Sequence, residues 1–497
     1  MEILKKIFNV TFLFLFFVIS VIAVSTVIAE CFYAGILVIP AVIFGLSFAV
    51  KRSQKAPLQP RKHLWPILQL VSTGVMLYFA FILAVCFSWD WGDLIRTAYK
   101  ITMGEGNPLI EYYARYPNNR FWLTCLTGLF KLIKLFVGNP SIVLCKVITV
   151  LFSVSFVQLT IFLIYKTAQK LWNAEKGFLV GCAALLFLPF YLYSQFAYTD
   201  TSGMLLIACL TYLYVHYRQS SDSKRKVYLL AATIGGISGL LYQIKIMGFI
   251  VTIAVIVEMV LSVNSLKKLK TVLPSFATLV VSFICVVGAT NALSNLVVPI
   301  SDELYDQYEF PMSHWVMMGL GKTGGYRQVD VDYTISFPTY DEKVEGTIAE
   351  INNRLSQRGF YGTFHHIVIA KMARTWGNDH FAGADYIHRY PVYPDSWMHS
   401  VFDEDGELGW LRDLYTGPYH IAMISGILLA AFFAFRRKKE DSLLFARIAL
   451  FGMILFMMIW ECNSRYLLIF SPLLLLCGCD GWFSGIRFLR RRAAIRS

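Results

Sequence analysis

The stretch LWPILQLVSTGVMLYFAFILAVCFSWDWGD, residues 64–93, decides how this chain is read. Residues 64–87 carry no Asp, Glu, Lys or Arg and are long enough as a helix to cross about 30 Å of hydrocarbon. Ser88-Trp89-Asp90-Trp91-Gly92-Asp93 follows at once. A carboxylate at the rim of a membrane helix is costly unless it is used or paired. The tryptophans suit an interface and can also stack on a sugar ring. The stretch predicts a helix that leaves the membrane into a rim built for chemistry.

The rest of the chain agrees with a membrane reading. Of 497 residues, 57% are hydrophobic and 15% charged, against about 25% charged in soluble domains. Apolar runs of spanning length recur, and the alternating segments of a β-barrel do not. The expected class is an all-α polytopic membrane protein. The net charge of +13 sits in short clusters between apolar runs, as the positive-inside rule expects. It therefore signals topology and calls for no nucleic acid. The ten cysteines lie in or beside apolar runs, and none falls in the polar segment 296–414, so neither a disulfide framework nor zinc spacing is present. Residues 1–30 have a basic start and an apolar core, as a signal peptide does, but the apolar stretch is long and reads as a retained first helix.

About twelve spans are expected, near 8–28, 33–50, 64–87, 141–165, 177–194, 202–217, 227–243, 246–264, 271–293, 417–435, 442–460 and 465–483. Basic loops (Lys5-Lys6, Lys51 to His63, Lys166 to Lys176, Arg218 to Lys226, Lys267 to Lys270, Arg436 to Lys439, Arg487 to Arg496) alternate with loops poor in cations. One orientation satisfies them all, with both termini inside. Three regions follow. Residues 1–295 form a transmembrane part with an outer loop at 88–140, whose amphipathic stretch 120–137 reads as an interfacial helix. Residues 296–416 form an extracytoplasmic domain of mixed α/β pattern, with a helix at 341–358. Residues 417–497 return to the membrane and end in a basic cytoplasmic tail.

The outer face collects the reactive residues. Asp90 and Asp93 lie in the first long loop, with Arg96 close behind. Tyr116-Pro117-Asn118-Asn119 precedes the interfacial stretch. Tyr198-Thr199-Asp200-Thr201 fills the turn before the sixth span, and doubles as a helix N-cap. Lys245 sits between spans seven and eight, and Arg465-Tyr466 opens the last span. These are distant in sequence and share one membrane depth. A carboxylate there can take a proton from a hydroxyl. Cations can hold a phosphate and stabilise its departure. Arg465 could instead pair with Glu461, Lys146 reads as snorkelling, and Glu258 lies toward the inner end of its span. The histidines, including His365-His366, lack metal-site spacing. No metal or other cofactor is indicated, although the carboxylates would allow a divalent ion.

The ordered set resembles the GT-C membrane glycosyltransferases, in particular protein O-mannosyltransferases (glycosyltransferase family 39) and lipid A aminoarabinose transferases. The resemblance rests on Gly92-Asp93-Leu94-Ile95-Arg96-Thr97-Ala98, Tyr116-Pro117-Asn118-Asn119, Thr199-Asp200 and Asn463-Ser464-Arg465-Tyr466, and covers about 64–300 and 417–485. Where the family pairs Asp with Glu, this chain has Asp93-Leu94. The resemblance implies an inverting glycosyltransferase at the outer face of the cell membrane. Its donor would be a polyprenyl-phosphate-linked sugar and its acceptor a hydroxyl of a cell-envelope glycan, lipid or protein. It implies Asp93 as base with Asp90 as the fallback, and Asp200 orienting the acceptor or a cation. Lys245, Arg465 and Arg96 would contact the donor phosphate. Tyr116, Asn118, Tyr198 and Tyr466 would line the substrate site. The competing reading is a transporter or flippase of lipid-linked sugar precursors. Transporters commonly carry internal repeats and polar residues at the midplane; here no repeat is visible and the polar residues gather at one face.

Overall fold

The computed structural model describes residues 2–30, 63–220, 223–263, 265–436 and 441–496. Regular structure among them is helical, with one isolated antiparallel bridge between Val85 and Pro391. The main helices are α1 (Glu2–Glu30), α2 (Leu64–Ile82), α3 (Trp89–Met103), α4 (Arg120–Val137), α5 (Ile142–Leu171), α6 (Ala174–Leu185), α7 (Thr199–Gln219), α8 (Lys224–Ile244), α9 (Phe249–Leu261) and α10 (Leu266–Val297). They continue with α11 (Met312–Gly319), α12 (Gln328–Ile335), α13 (Tyr340–His365), α14 (Lys371–Trp376), α15 (Gly409–Arg436), α16 (Leu444–Ile459) and α17 (Leu467–Arg496).

Among the described residues, 7 helical segments are long and apolar enough to cross a membrane: Ile3–Ala29, Leu64–Ile82, Ile142–Leu171, Lys224–Ile244, Lys268–Val297, Gly409–Arg436 and Ser464–Arg492. Two shorter apolar helices are Ile246–Leu261 and Leu444–Ile459. The expected count of twelve is thus not reproduced by length and composition. The span expected at 33–50 lies outside the described residues. The one expected at 177–194 breaks after Leu185 and resumes as Pro189–Leu192, because Pro189 has no N–H to continue the ladder. The helix expected at 202–217 is present as α7. It turns Thr201, Ser202, Thr211 and Tyr214 inward, so its polar residues are spent inside the bundle.

The apolar window of α17 is 78% buried and that of α10 only 11%, so α17 is the central post and α10 a peripheral stave. The crossing of α15 on α17 depends on glycine. A Cβ on Gly481 would lie 1.8 Å from the Gly426 carbonyl oxygen. Without a hydrophobic drive between helices in lipid, such close backbone contact is what holds the pair.

The segment 296–416 corrects the expected α/β mixture: its described regular structure is helical. The alternation Val329, Val331, Tyr333, Ile335 suggests a strand. Instead α12 forms, because Asp330 is buried and binds Arg354 of α13 at 2.7 Å, while Thr334 donates back to the Asp330 carbonyl at 3.1 Å. On that helix Val331 is buried and Val329 and Ile335 are exposed. The expected helix at 341–358 is the body of α13. It kinks at Gly359, whose φ of 64° favours glycine.

Candidate functional site

Four chain reversals meet at one end of the bundle, and each delivers a polar side chain. The first is the Ser88–Asp93 turn. Trp89 takes a φ of +44°, which brings α3 back over the end of α2. A Cβ on Gly92 would lie 2.7 Å from the Phe87 carbonyl carbon, so only glycine allows the turn. Trp91 is fully buried and anchors it. Lys146 donates to the Val85 carbonyl at 2.5 Å and lies 5.5 Å from the Trp91 ring centre. It braces the turn, and does not snorkel as expected.

The second reversal enters α7 through Tyr198, whose backbone N–H donates to Thr201 Oγ1 in a capping box. Asp200 follows in the first turn, where the helix dipole favours an anion. The third passes from α8 to α9 at Lys245, which is extended (φ −154°). The fourth joins α16 to α17 through Glu461-Cys462-Asn463. Asn463 accepts the Arg465 N–H at 2.9 Å and sets the turn that carries Arg465 and Tyr466.

These side chains form a charged, aromatic cage. Asp200, 1% exposed, pairs with Lys245 at 2.9 Å and Arg465 at 3.4 Å. The Lys245 ammonium lies 5.7 and 5.0 Å from the ring centres of Tyr198 and Tyr466. The Arg465 guanidinium lies 5.4 Å from Trp89 and 4.8 Å from Tyr386, well within cation–π range. Burial pulls the Lys245 ammonium below its ordinary range, and Asp200 opposes that pull. Glu461 accepts from Tyr466 Oη at 2.5 Å; burial raises its carboxyl while Tyr466, Arg465, Lys245 and Arg374 lower it.

Asp90 closes the cage on the α3 side. The Tyr198 hydroxyl donates to its Oδ2 at 3.1 Å. Burial holds the Tyr112 phenol well above the tyrosine range, and Asp90 beside it adds to that shift. Tyr112 is positioned by Asn119, whose Nδ2 donates to its hydroxyl at 2.8 Å. Asp90 therefore faces phenols on two sides, and Tyr198 links it to the two buried cations.

Sequence reasoning placed Asp90, Asp200, Lys245, Arg465, Tyr198 and Tyr466 together, and the structure brings them together. It does not bring Asp93 and Arg96 into the cage. They sit one helical turn apart and bind each other at 2.5 Å, both partly exposed, as i,i+3 neighbours on a helix do. Tyr116 packs on Tyr112, Phe310 and Trp315 and joins the loop to the 296–416 segment. Among the described residues Asn118 hydrogen-bonds Asn119, and it is Asn119 that reaches the site. Arg465 pairs with Asp200, whereas Glu461 is held by Tyr466. Glu258 binds Arg218 at 3.0 Å, far along the bundle from the cage.

Sequence reasoning gave Tyr386, Glu461, Tyr112 and Arg374 no site role, although Tyr386, Glu461 and Tyr112 contact cage residues and Arg374 acts on Glu461. Arg374 packs against the Gly325 backbone and is exposed. No ion pair to it is found among the described residues. Glu461, four residues before Arg465, and Tyr112, four residues before Tyr116, lie beside recognised motifs.

A protein family described as "Conserved hypothetical integral membrane protein" matches residues 3–482. The chain belongs to this family. No curated protein matches this family member. Solved structures similar to it include the oligosaccharyltransferase AglB of Archaeoglobus fulgidus in complex with an inhibitory peptide and a dolichol-phosphate. That match has 13% identity and a TM-score of 0.45, and covers 87% of this chain and 52% of the other. The family member thus spans about half the length of that oligosaccharyltransferase. ArnT of Cupriavidus metallidurans bound to undecaprenyl phosphate is also similar, at 11% identity and a TM-score of 0.37, over 84% of this chain and 78% of the other.

Proposed function

We propose that this membrane protein is a glycosyltransferase that moves a sugar from a polyprenyl-phosphate carrier to a hydroxyl of a cell-envelope acceptor, at the outer face. One observation carries the reading. A partly exposed carboxylate, Asp90, lies against a buried cage holding two cations, at the end of the bundle that lacks the basic loops. Asp90 is the base in this reading, in place of Asp93, whose charge is already met by Arg96. It takes the proton of the acceptor hydroxyl as that oxygen attacks the anomeric carbon from the face opposite the phosphate, which inverts the configuration. The bond from the sugar to the phosphate oxygen breaks, and the electron pair leaves with the polyprenyl phosphate.

Lys245, Arg465 and Arg374 meet that growing negative charge. A preset cation costs no reorganisation at the moment of reaction. Lys245 and Arg465 are shared with Asp200, so the cage keeps them charged while no donor is bound. Arg374 supplies the remaining positive charge on this side. Trp89 and Tyr466, both partly exposed, offer aromatic surface for the sugar.

The test is mass spectrometry of envelope glycans from cells lacking the protein. Loss of one defined sugar mass, restored by the wild-type gene, supports the reading. Unchanged glycans with accumulation of a lipid-linked precursor on the inner leaflet would favour transport instead.

A further inference from the structure

At the opposite end of the bundle from the cage, α1, α7, α8, α9, α10, α15 and α16 surround a cavity of about 440 Å³. That volume lies in the range of small-molecule sites. Its lining includes Lys5, Lys6, Lys268, Arg218, Glu258 and Asp441. The two carboxylates are already engaged. Glu258 binds Arg218 at 3.0 Å and accepts the Phe445 N–H at 2.7 Å. Asp441 binds the fully buried Arg447 and accepts the Leu443 N–H. Among the described residues Lys5, Lys6 and Lys268 have no ion-pair partner, so the cavity carries three uncommitted positive charges.

The walls are amphipathic. Met259, Val272 and Leu444 supply apolar surface, and Tyr217, Ser220 and Ser262 supply polar groups. Beside the lining residues, Leu4 and Ile7 of α1 and Leu269 and Leu273 of α10 are exposed, and α10 is the least buried span. The cavity is therefore flanked by surface that suits acyl chains. Basic pockets between membrane helices, at the end that charge assigns to the cytoplasm, suit phosphorylated headgroups.

We infer that this cavity binds a phosphate monoester or diester, with Lys5, Lys6 and Lys268 as its cationic contacts. The exposed apolar flanks favour a phospholipid headgroup as the source over a soluble phosphate. The site is separate from the cage and does not depend on the glycosyltransferase reading.

The experiment uses the full chain in neutral detergent. Native mass spectrometry compares retained phosphatidylglycerol with phosphatidylcholine, and a thermal-shift arm adds inorganic phosphate. Phosphatidylglycerol should be retained in preference to phosphatidylcholine. Lys268→Glu should lower its retention by about fivefold or more, and Val272→Trp, which fills the cavity without changing charge, should do the same. Protection by inorganic phosphate that is lost in both variants would identify the source as a soluble phosphate. Equal retention of the two lipids with no effect of phosphate would overturn the site, as would wild-type retention in both variants.

Discussion

Tyr198 donates its hydroxyl to Asp90 at 3.1 Å, joining the start of α3 to the start of α7 across the cage. The contact fixes the direction in which Asp90 points, and it turns Asp90, in the first turn of α3 and three residues before Asp93, toward the cage. Removing that phenol should loosen Asp90 without removing it. Tyr198→Phe is expected to lower transfer by about tenfold, the scale of one lost hydrogen bond, with little change in thermal stability. An in vitro transfer assay with a lipid-linked sugar beside a melting curve checks both halves.

Asp200 neutralises two buried cations at once. Asp200→Asn leaves Lys245 and Arg465 uncompensated, and breaking such a buried pair costs about 3–5 kcal/mol. The purified variant should melt well below the wild type. Adding Lys245→Met should recover part of the loss. A double variant that melts below both singles would contradict the pairing.

Gly92 is required by close approach. With its Cβ placed 2.7 Å from the Phe87 carbonyl carbon, Gly92→Ala must push the turn apart and swing Asp90 away from Tyr198. Overpacking of this kind costs about 1–3 kcal/mol. Activity should fall further than stability, and Gly74→Ala, where a Cβ meets nothing, serves as the silent control in a helix of the same bundle.

The pH dependence of stability should include a carboxyl pair in the 296–416 segment. Burial together with the neighbouring Asp385 pushes Glu404 up to about 7, and Asp385 is raised as well. The folded protein then holds a proton that the unfolded chain has released above about 4.5. Stability from this source is present below that pH and is lost as pH rises through 7. His388, raised chiefly by Asp403, tilts the same way. His314 and His380, lowered to about 3 by burial, tilt the opposite way below their ordinary range. The readout is therefore a difference: Glu404→Gln should show a smaller fall in melting temperature from pH 5 to pH 8 than the wild type.

The parts of this protein written in local pattern were legible, and those made by distant pairing were not. Apolar length marked the long helices, and charge alternation separated the end with the cage from the end with the basic cavity. Asp200, Lys245 and Arg465 could be grouped because each sits at a cation-poor turn between apolar runs, on the side opposite the basic loops. Asp93 looked better than Asp90 because Gly92-Asp93 resembled a motif. What sets Asp90 rather than Asp93 against the cage is Trp89's positive φ and the i,i+3 pairing of Asp93 with Arg96, and neither is a feature of composition. Val329 to Ile335 alternated like a strand, yet a buried ion pair from Asp330 to a helix beyond it decided otherwise. Tyr386 reaches the cage, and Arg374 acts on Glu461, from a segment with no membrane periodicity, so no count of spans would point to them.

Rescue of the glycan phenotype by two single variants in cells lacking the protein separates Asp90 from Asp93 as the base. Mass spectrometry should find the sugar restored by Asp93→Asn at or near the wild-type level. With Asp90→Asn it should be absent or reduced by about 100-fold or more, the scale of a lost general base, while the variant protein accumulates normally. Full restoration by Asp90→Asn, or loss confined to Asp93→Asn, would contradict the assignment of Asp90 as the base.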